Sequence, residues 1–337
     1  MMANVINTFS VCKDYFLSKE SDSILQWMRR IIRPEYDKYR CLNNINFSLS
    51  VGGALGFIGP NGAGKSSLIK ILCGIQRPTS GSVSVLGFDP SKRDKDFLKR
   101  IGVVFGHKTS LWWDLPVKTG LETYRKIYQV PEADYKSRMA ELVEALNLSK
   151  VLNKPVRNLS LGERVKCELA LSLIHAPELV FLDEPTVGLD VTSKFEIRKY
   201  LNYKREVDNL AIFLTSHDLG DIESCCDSAI IIDRGNIRFD GTLKALSHKL
   251  SHTLQLIVTL KVKESSIASL GDFKERMSRV NAQLPVSETA TQLVYFIAHD
   301  RVATVQSLFE AGRYGLDIKE SGFEEGVVNL FNAWASE

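Results

Sequence analysis

Apolar residues in this chain gather in short dense runs set apart by glycine, proline and polar turns. Residues 54–58, 101–105 and 178–183 are compact enough to be strands buried within a sheet, and 207–215 predicts a further one. Between them the spacing turns helical: 67–73, then 120–148 with a pause at Pro131, then 158–176 with a long apolar face. Strands alternating with helices predict an α/β fold. The N-terminal part reads differently. Residues 5–12 and 42–51 are strand-like, Gly52 and Gly53 turn the chain, 82–86 is a short strand after the turn at 77–81, and 96–100 is a brief helix.

Two segments stand apart from this core. Ile24, Leu25, Trp27, Met28, Ile31 and Ile32 fall at helical spacing beside Arg29, Arg30 and Arg33, with Pro34 as a stop, so residues 20–34 predict an inserted basic amphipathic helix. Packing on its own domain is slightly favoured over lying against a membrane face or a permease. The tail, 250–337, runs strand (254–262), helix (264–280), weak strand (284–287), strand (293–298), helix (301–312) and extended segment (314–320). That order predicts a small α+β, ferredoxin-like unit followed by a final helix at 323–334. No catalytic constellation is visible there; dimer contact or regulation is its expected role, with simple padding as the bland alternative.

Chemistry enters at GPNGAGKSS, which follows the first buried strand and opens a helix. The spacing of Gly59, Gly64, Lys65 and Ser66 is that of a P-loop, and Pro60, Asn61, Gly62, Ala63 and Ser67 complete the cradle. Glycines let successive N–H groups face phosphate oxygens, Lys65 adds a mobile positive charge and Ser66 offers a hydroxyl to Mg²⁺. Nucleotide binding is therefore expected. At the end of strand 178–183, Asp183 can reach Mg²⁺ and Glu184 can orient or polarise a water. Ser216, His217 and Asp218 end the next strand at the same edge, where His217 is placed to sense phosphate. Ser160, followed three residues on by Glu163, has the spacing of a helix capping box. The adjacent Trp112 and Trp113 sit in a loop, where they are either buried or suited to docking a partner helix.

Composition removes some classes. Lys plus Arg exceeds Asp plus Glu by three, 43 against 40, and no strong basic patch points to nucleic acid. Six cysteines show no C-x-x-C pairing and read as reduced and structural. No stretch approaches the run of about 20 apolar residues needed to cross a bilayer, so transmembrane work is expected of another chain.

Taken in order, GPNGAGKS, LSLGE, LVFLDEP, VGLD and TSHD resemble the Walker A, signature, Walker B, D-loop and switch motifs of ABC transporter nucleotide-binding subunits. The resemblance covers residues 1–245. It implies a RecA-like core with an antiparallel β subdomain and a helical subdomain at about 107–176. It further implies ATP and Mg²⁺ as cofactors, Lys65, Glu184 and His217 as the catalytic set, and Ser66 with Asp183 as metal ligands. Two cassettes would face head to tail, as a homodimer or paired cassette, with Ser160 and Gly162 touching the γ-phosphate held by the partner. A separate permease would place the chain at the cytoplasmic side of a membrane. The pattern departs from the family in three places: Leu161 and Glu163 in the signature, Gly106 and His107 where a Q-loop glutamine is usual, and the adenine-stacking aromatic. For the last, Tyr15 has the family's usual context, while Tyr36 or Tyr39 better matches the spacing to Walker A. The WWDLP run resembles exporter subunits. A soluble ABC ATPase acting on nucleic acid or ribosomes would usually carry two cassettes or a coiled-coil insertion, and an importer would carry a different tail.

Overall fold

A computed structural model describes residues 3–18, 36–106, 108–216 and 218–250, and thereafter 253–260, 275, 277, 287–288, 292–298, 314–320, 326–328, 330–331 and 334. Contacts divide the chain into Met1–Leu243 and Lys244–Glu337.

In the first unit, β1 (Asn4–Ser18) pairs antiparallel with β2 (Tyr36–Ser50) and with β4 (Ser80–Val85), giving a three-stranded sheet. A second sheet has six strands in the order β5-β6-β7-β3-β8-β9: β3 (Ala54–Ile58), β5 (Ile101–Phe105), β6 (Leu179–Asp183), β7 (Ala211–Thr215), β8 (Ser228–Asp233) and β9 (Asn236–Thr242). Its ladders are parallel except for the edge pair β8–β9. All five residues of β3 and of β7 are buried, as expected for strands covered on both faces. The two sheets share a core in which Phe213 lies 5.6 Å from Phe57, and 5.9 Å from both Phe181 and the β2 residue Phe47, ring centre to ring centre. Against it pack Leu68, Ile69, Ile71 and Leu72 of α1 (Lys65–Leu72).

The helical layer follows α2 (Lys95–Lys99) and consists of α3 (Val117–Ile127), α4 (Glu132–Ala145) and α5 (Leu161–Leu173). Pro116 and Pro131 stand at the N-caps of α3 and α4, so the pause at Pro131 is a helix boundary. Next come α6 (Val191–Asp208) and α7 (Leu219–Cys225). Lys166 of α5 and Glu196 of α6 form a largely buried ion pair at 2.8 Å.

Two expectations need correcting. Residues 207–210 are not strand: α6 runs to Asp208, its last turn held by Lys204 bonded to both Glu141 and Asp208, and Asn209 ends it at φ 52. Asparagine tolerates that left-handed turn, and β7 begins only at Ala211. The first strand is longer than 5–12, because pairing continues through Tyr15↔Tyr39 to Ser18↔Tyr36. Charges that break the apolar alternation there are paired across the strands, buried Asp14 accepting from Arg40 at 2.8 Å and lying 3.0 Å from Lys38. The inserted helix expected at 20–34 lies outside the described residues.

The second unit opens with α8 (Leu243–Leu250), which straddles the boundary. Its antiparallel sheet has the order β11-β12-β10-β13, from β10 (Thr253–Leu260), β11 (Ser287–Glu288), β12 (Gln292–Ala298) and β13 (Tyr314–Glu320). This is the strand order a β-α-β-β-α-β unit produces. Of the two helices expected in it, only Glu275 and Met277 are described, both helical.

Candidate functional site

Sheet register gathers the candidate chemistry. Phe105, Asp183 and Thr215 are aligned across β5, β6 and β7, and Phe57 of β3 pairs with Thr215, so the loops after these strands leave at one edge. There the P-loop turns into α1 through Gly64, whose φ of 110° a Cβ would oppose. Lys65, 5% exposed, folds back over the loop. Its ammonium donates to the carbonyls of Gly59 at 2.6 Å and Pro60 at 3.2 Å and lies 3.7 Å from Glu184 Oε1. Burial draws the Lys65 ammonium below the ordinary lysine range, against the pull of the Glu184 and Asp183 carboxylates.

Asp183 Oδ1 accepts from Ser66 Oγ at 3.4 Å and from Thr215 Oγ1 at 2.7 Å. Glu184 leaves the strand at φ 53, an uncommon conformation for a non-glycine residue, and its N–H donates to the Thr215 carbonyl at 3.0 Å. An open cavity of about 270 Å³ is bounded by Tyr39 and Cys41, by Pro60, Asn61, Gly62 and Gly64 through Ser67, and by Glu184. A larger one, about 460 Å³, lies at the opposite edge beside Tyr200 and Lys204, where the polar groups satisfy one another and no phosphate-binding loop is present.

Lys65, Ser66, Asp183 and Glu184 thus meet at one place, with Ser67 at its rim. Tyr15 does not line this cavity. Its hydroxyl is bonded to Ser67 Oγ at 3.0 Å and donates to Gln76 Oε1 at 2.8 Å, while its cross-strand neighbour Tyr39, half exposed, faces the P-loop. The period of two along β2 puts Tyr39 and Cys41 on one face, which is the signal that favours Tyr39. Thr215 opens the TSHD motif, but its bond to Asp183 rests on a cross-strand register that the motif does not announce.

Ser160 and Gly162 lie apart from the cavity, at the start of α5. Both halves of the expected capping box are present: Glu163 N–H donates to Ser160 Oγ at 3.1 Å and Ser160 N–H to Glu163 Oε2 at 2.8 Å. Leu161 is 39% exposed beside them. Gly162 is packed against α6, where a Cβ would come within 2.6 Å of Ser193 Oγ. His107 and His217 lie outside the described residues. Their neighbours are placed: Gly106 N–H donates to the Asp183 carbonyl at 2.8 Å, and Ser216 Oγ accepts from Asp218 N–H at 3.0 Å. Trp112 and Trp113 are 43% and 50% exposed.

Residues 42–187 match the ABC transporter family. The ABC transporter ATP-binding protein NatA of Bacillus subtilis is 30% identical over 207 residues, which span 61% of this chain and 84% of the relative. The chain belongs to the ABC transporter ATP-binding family. It is the ATP-binding subunit of such a transporter and an ATPase. The linearmycin resistance ATP-binding protein LnrL of the same organism is 28% identical over 305 residues, covering 89% of this chain and 96% of LnrL. Among solved structures, a dimeric ATP-binding cassette in a post-hydrolysis state bound to ADP and Pi has the same fold. Its TM-score is 0.59 at 21% identity, over 71% of this chain and 98% of that one. No helix of the described residues is long and apolar enough to cross a membrane.

Proposed function

We propose that this cassette hydrolyses Mg·ATP to power export through a separate permease, and that two copies close head to tail over two nucleotides. The carrying observation is the convergence of Lys65, Ser66, Asp183 and Glu184 on the P-loop cavity. Glu184 takes the proton of the attacking water, and Lys65 with the loop N–H groups stabilises the charge that develops on the phosphate oxygens. Ser66 and Asp183 are hard oxygen donors side by side, suited to Mg²⁺, which when bound supplies charge neutralisation at the phosphates. His217 holds the γ-phosphate and the water from the switch position, and His107 occupies the Q-loop position. Tyr39, in place of Tyr15, stacks on adenine. Ser160 and Gly162 contact the γ-phosphate bound by the partner copy, with the N-terminus of α5 aimed at it.

Export is supported by the resistance function in LnrL's name and by a likeness to LnrL that continues into the C-terminal unit. The half-exposed Trp112 and Trp113 suit docking on a permease helix at the cytoplasmic face of a membrane. Dimer contact or regulation falls to the C-terminal unit. Glu184→Gln tests the mechanism: it should bind ATP, accumulate as a dimer and lose at least about a hundredfold in turnover. Normal turnover would remove Glu184 from the role of base.

A further inference from the structure

Behind the loops at the site edge sits a carboxylate with four contacts from three residues. Asp221 of α7 is 1% exposed. Its Oδ2 accepts from Thr186 Oγ1 and, at 2.8 Å, from Ser216 Oγ. Its Oδ1 accepts from Arg198 Nε at 2.7 Å and lies 2.5 Å from Arg198 Nη2. Thr186 comes two residues after Glu184, and Ser216 immediately precedes His217. We propose that Asp221 is a positioning residue that locks the Glu184 loop and the His217 loop into one unit, with Arg198 of α6 as its counter-charge. The proposal rests on the role given to Glu184 above.

The arrangement is hard to account for by stability alone. A buried ion pair is often matched or bettered by apolar residues of similar volume, so its net worth to the fold is small. Here both hydroxyl donors come from loops at the phosphate edge, and they meet on a single oxygen. Thr186 and Ser216 are themselves 2% and 0% exposed, so neither can exchange Asp221 for water. A displacement of one loop therefore pulls the shared acceptor away from the other. The far side of the switch loop is tied as well, because Asp218 is bonded to Lys194 and lies 3.5 Å from Arg198, both on α6. Cations of one helix thus hold the chain directly after His217 and, through Asp221, directly before it.

The test is a set of substitutions in the full chain, with its membrane partner where turnover requires one, reading kcat and ATP affinity separately. Asp221→Asn keeps the shape and removes the charge; it should lower kcat on the order of a hundredfold, as small misplacements of catalytic groups do, with ATP affinity within about twofold. Thr186→Val and Ser216→Ala each remove one hydroxyl. If one carboxylate couples the loops, the double variant should be no slower than the slower single variant by more than about twofold. Multiplying effects, an unchanged kcat in folded Asp221→Asn, or equal falls in kcat and affinity would overturn the proposal. Should Asp221→Asn fail to fold, the hydroxyl pair decides alone. Loss of turnover in Glu184→Gln with full turnover in Asp221→Asn would sink this proposal and leave the Glu184 assignment standing.

Discussion

His175 follows the C-terminal end of α5 and joins the helical layer to the sheet. Its Nε2–H donates to the Ile101 carbonyl at 2.9 Å, and its ring stacks on Tyr128, the C-cap of α3, with centroids 3.9 Å apart and planes 13° apart. Nδ1 is buried without a hydrogen-bond partner among the described residues, so a proton there would bring an unsolvated charge. Burial accordingly draws the imidazole from 6.5 down to about 4, against the raising effect of the Ile101 carbonyl. Between those values the unfolded chain binds a proton that the folded chain refuses, so stability rises with pH through the window and is lost on acidification from 6.5 toward 4. At about pH 5 the unfolded state gains RT ln(1 + 10^1.5), about 2 kcal/mol, and the folded state almost nothing. Carboxylates also titrate in acid, so the quantity to read is a difference. Urea unfolding of the wild type and of His175→Gln, which keeps a donor for Ile101, should be compared at about pH 7.5 and pH 5. The stability difference between the two proteins should shift by about 2 kcal/mol in favour of the variant at the lower pH. Parallel loss of stability in both would refute the claim that His175 is held neutral.

Three further outcomes are expected at the site. Gly162→Ala should separate α5 from α6 by forcing Ser193 aside, cutting turnover while leaving ATP affinity at the P-loop intact; Gly162→Ala with Ser193→Gly should recover part of it, measured as ATPase rate. Tyr39→Ala should weaken ATP binding by about tenfold, in line with the worth of base–aromatic stacking, while Tyr15→Phe leaves affinity unchanged and lowers stability by about 1 kcal/mol for its lost hydrogen bonds; nucleotide titration and thermal unfolding separate the two. Lys65→Ala should lose nucleotide affinity in the same titration, and an unchanged value would count against the P-loop assignment.

How much of this was legible beforehand depended on range. The P-loop, Asp183–Glu184 and the capping box are local patterns in which every needed residue lies within a few positions, and the sequence carries them openly. Buried strands were equally plain, because β3, β6 and β7 are apolar without alternation. Errors came where tertiary contacts outvoted local composition. Val207 is apolar yet 57% exposed on the last turn of α6, held there by Lys204 and Glu141, and nothing nearby in the chain says so. The charges at Asp14, Lys38 and Arg40 hid the outer half of the β1–β2 hairpin, since their pairing is visible only once the strands are in register. That same register sets which of the paired Tyr15 and Tyr39 borders the P-loop cavity. Asp221 was invisible for a stronger reason: its partners Thr186, Arg198 and Ser216 come from three separate elements.

The first two turns of α6 carry a consequence for timing. On one side Ser193 and Glu196 meet Gly162 and Lys166 of α5; on the other Lys194 and Arg198 meet Asp218 and Asp221. In the proposed dimer the first contact belongs to the neighbour's nucleotide and the second to the subunit's own. If α6 moves as one body between these contacts, each copy of the proposed dimer would sense both occupancies at once. Turnover should then climb more steeply than linearly with ATP, and a dimer holding one disabled copy should run at well under half speed.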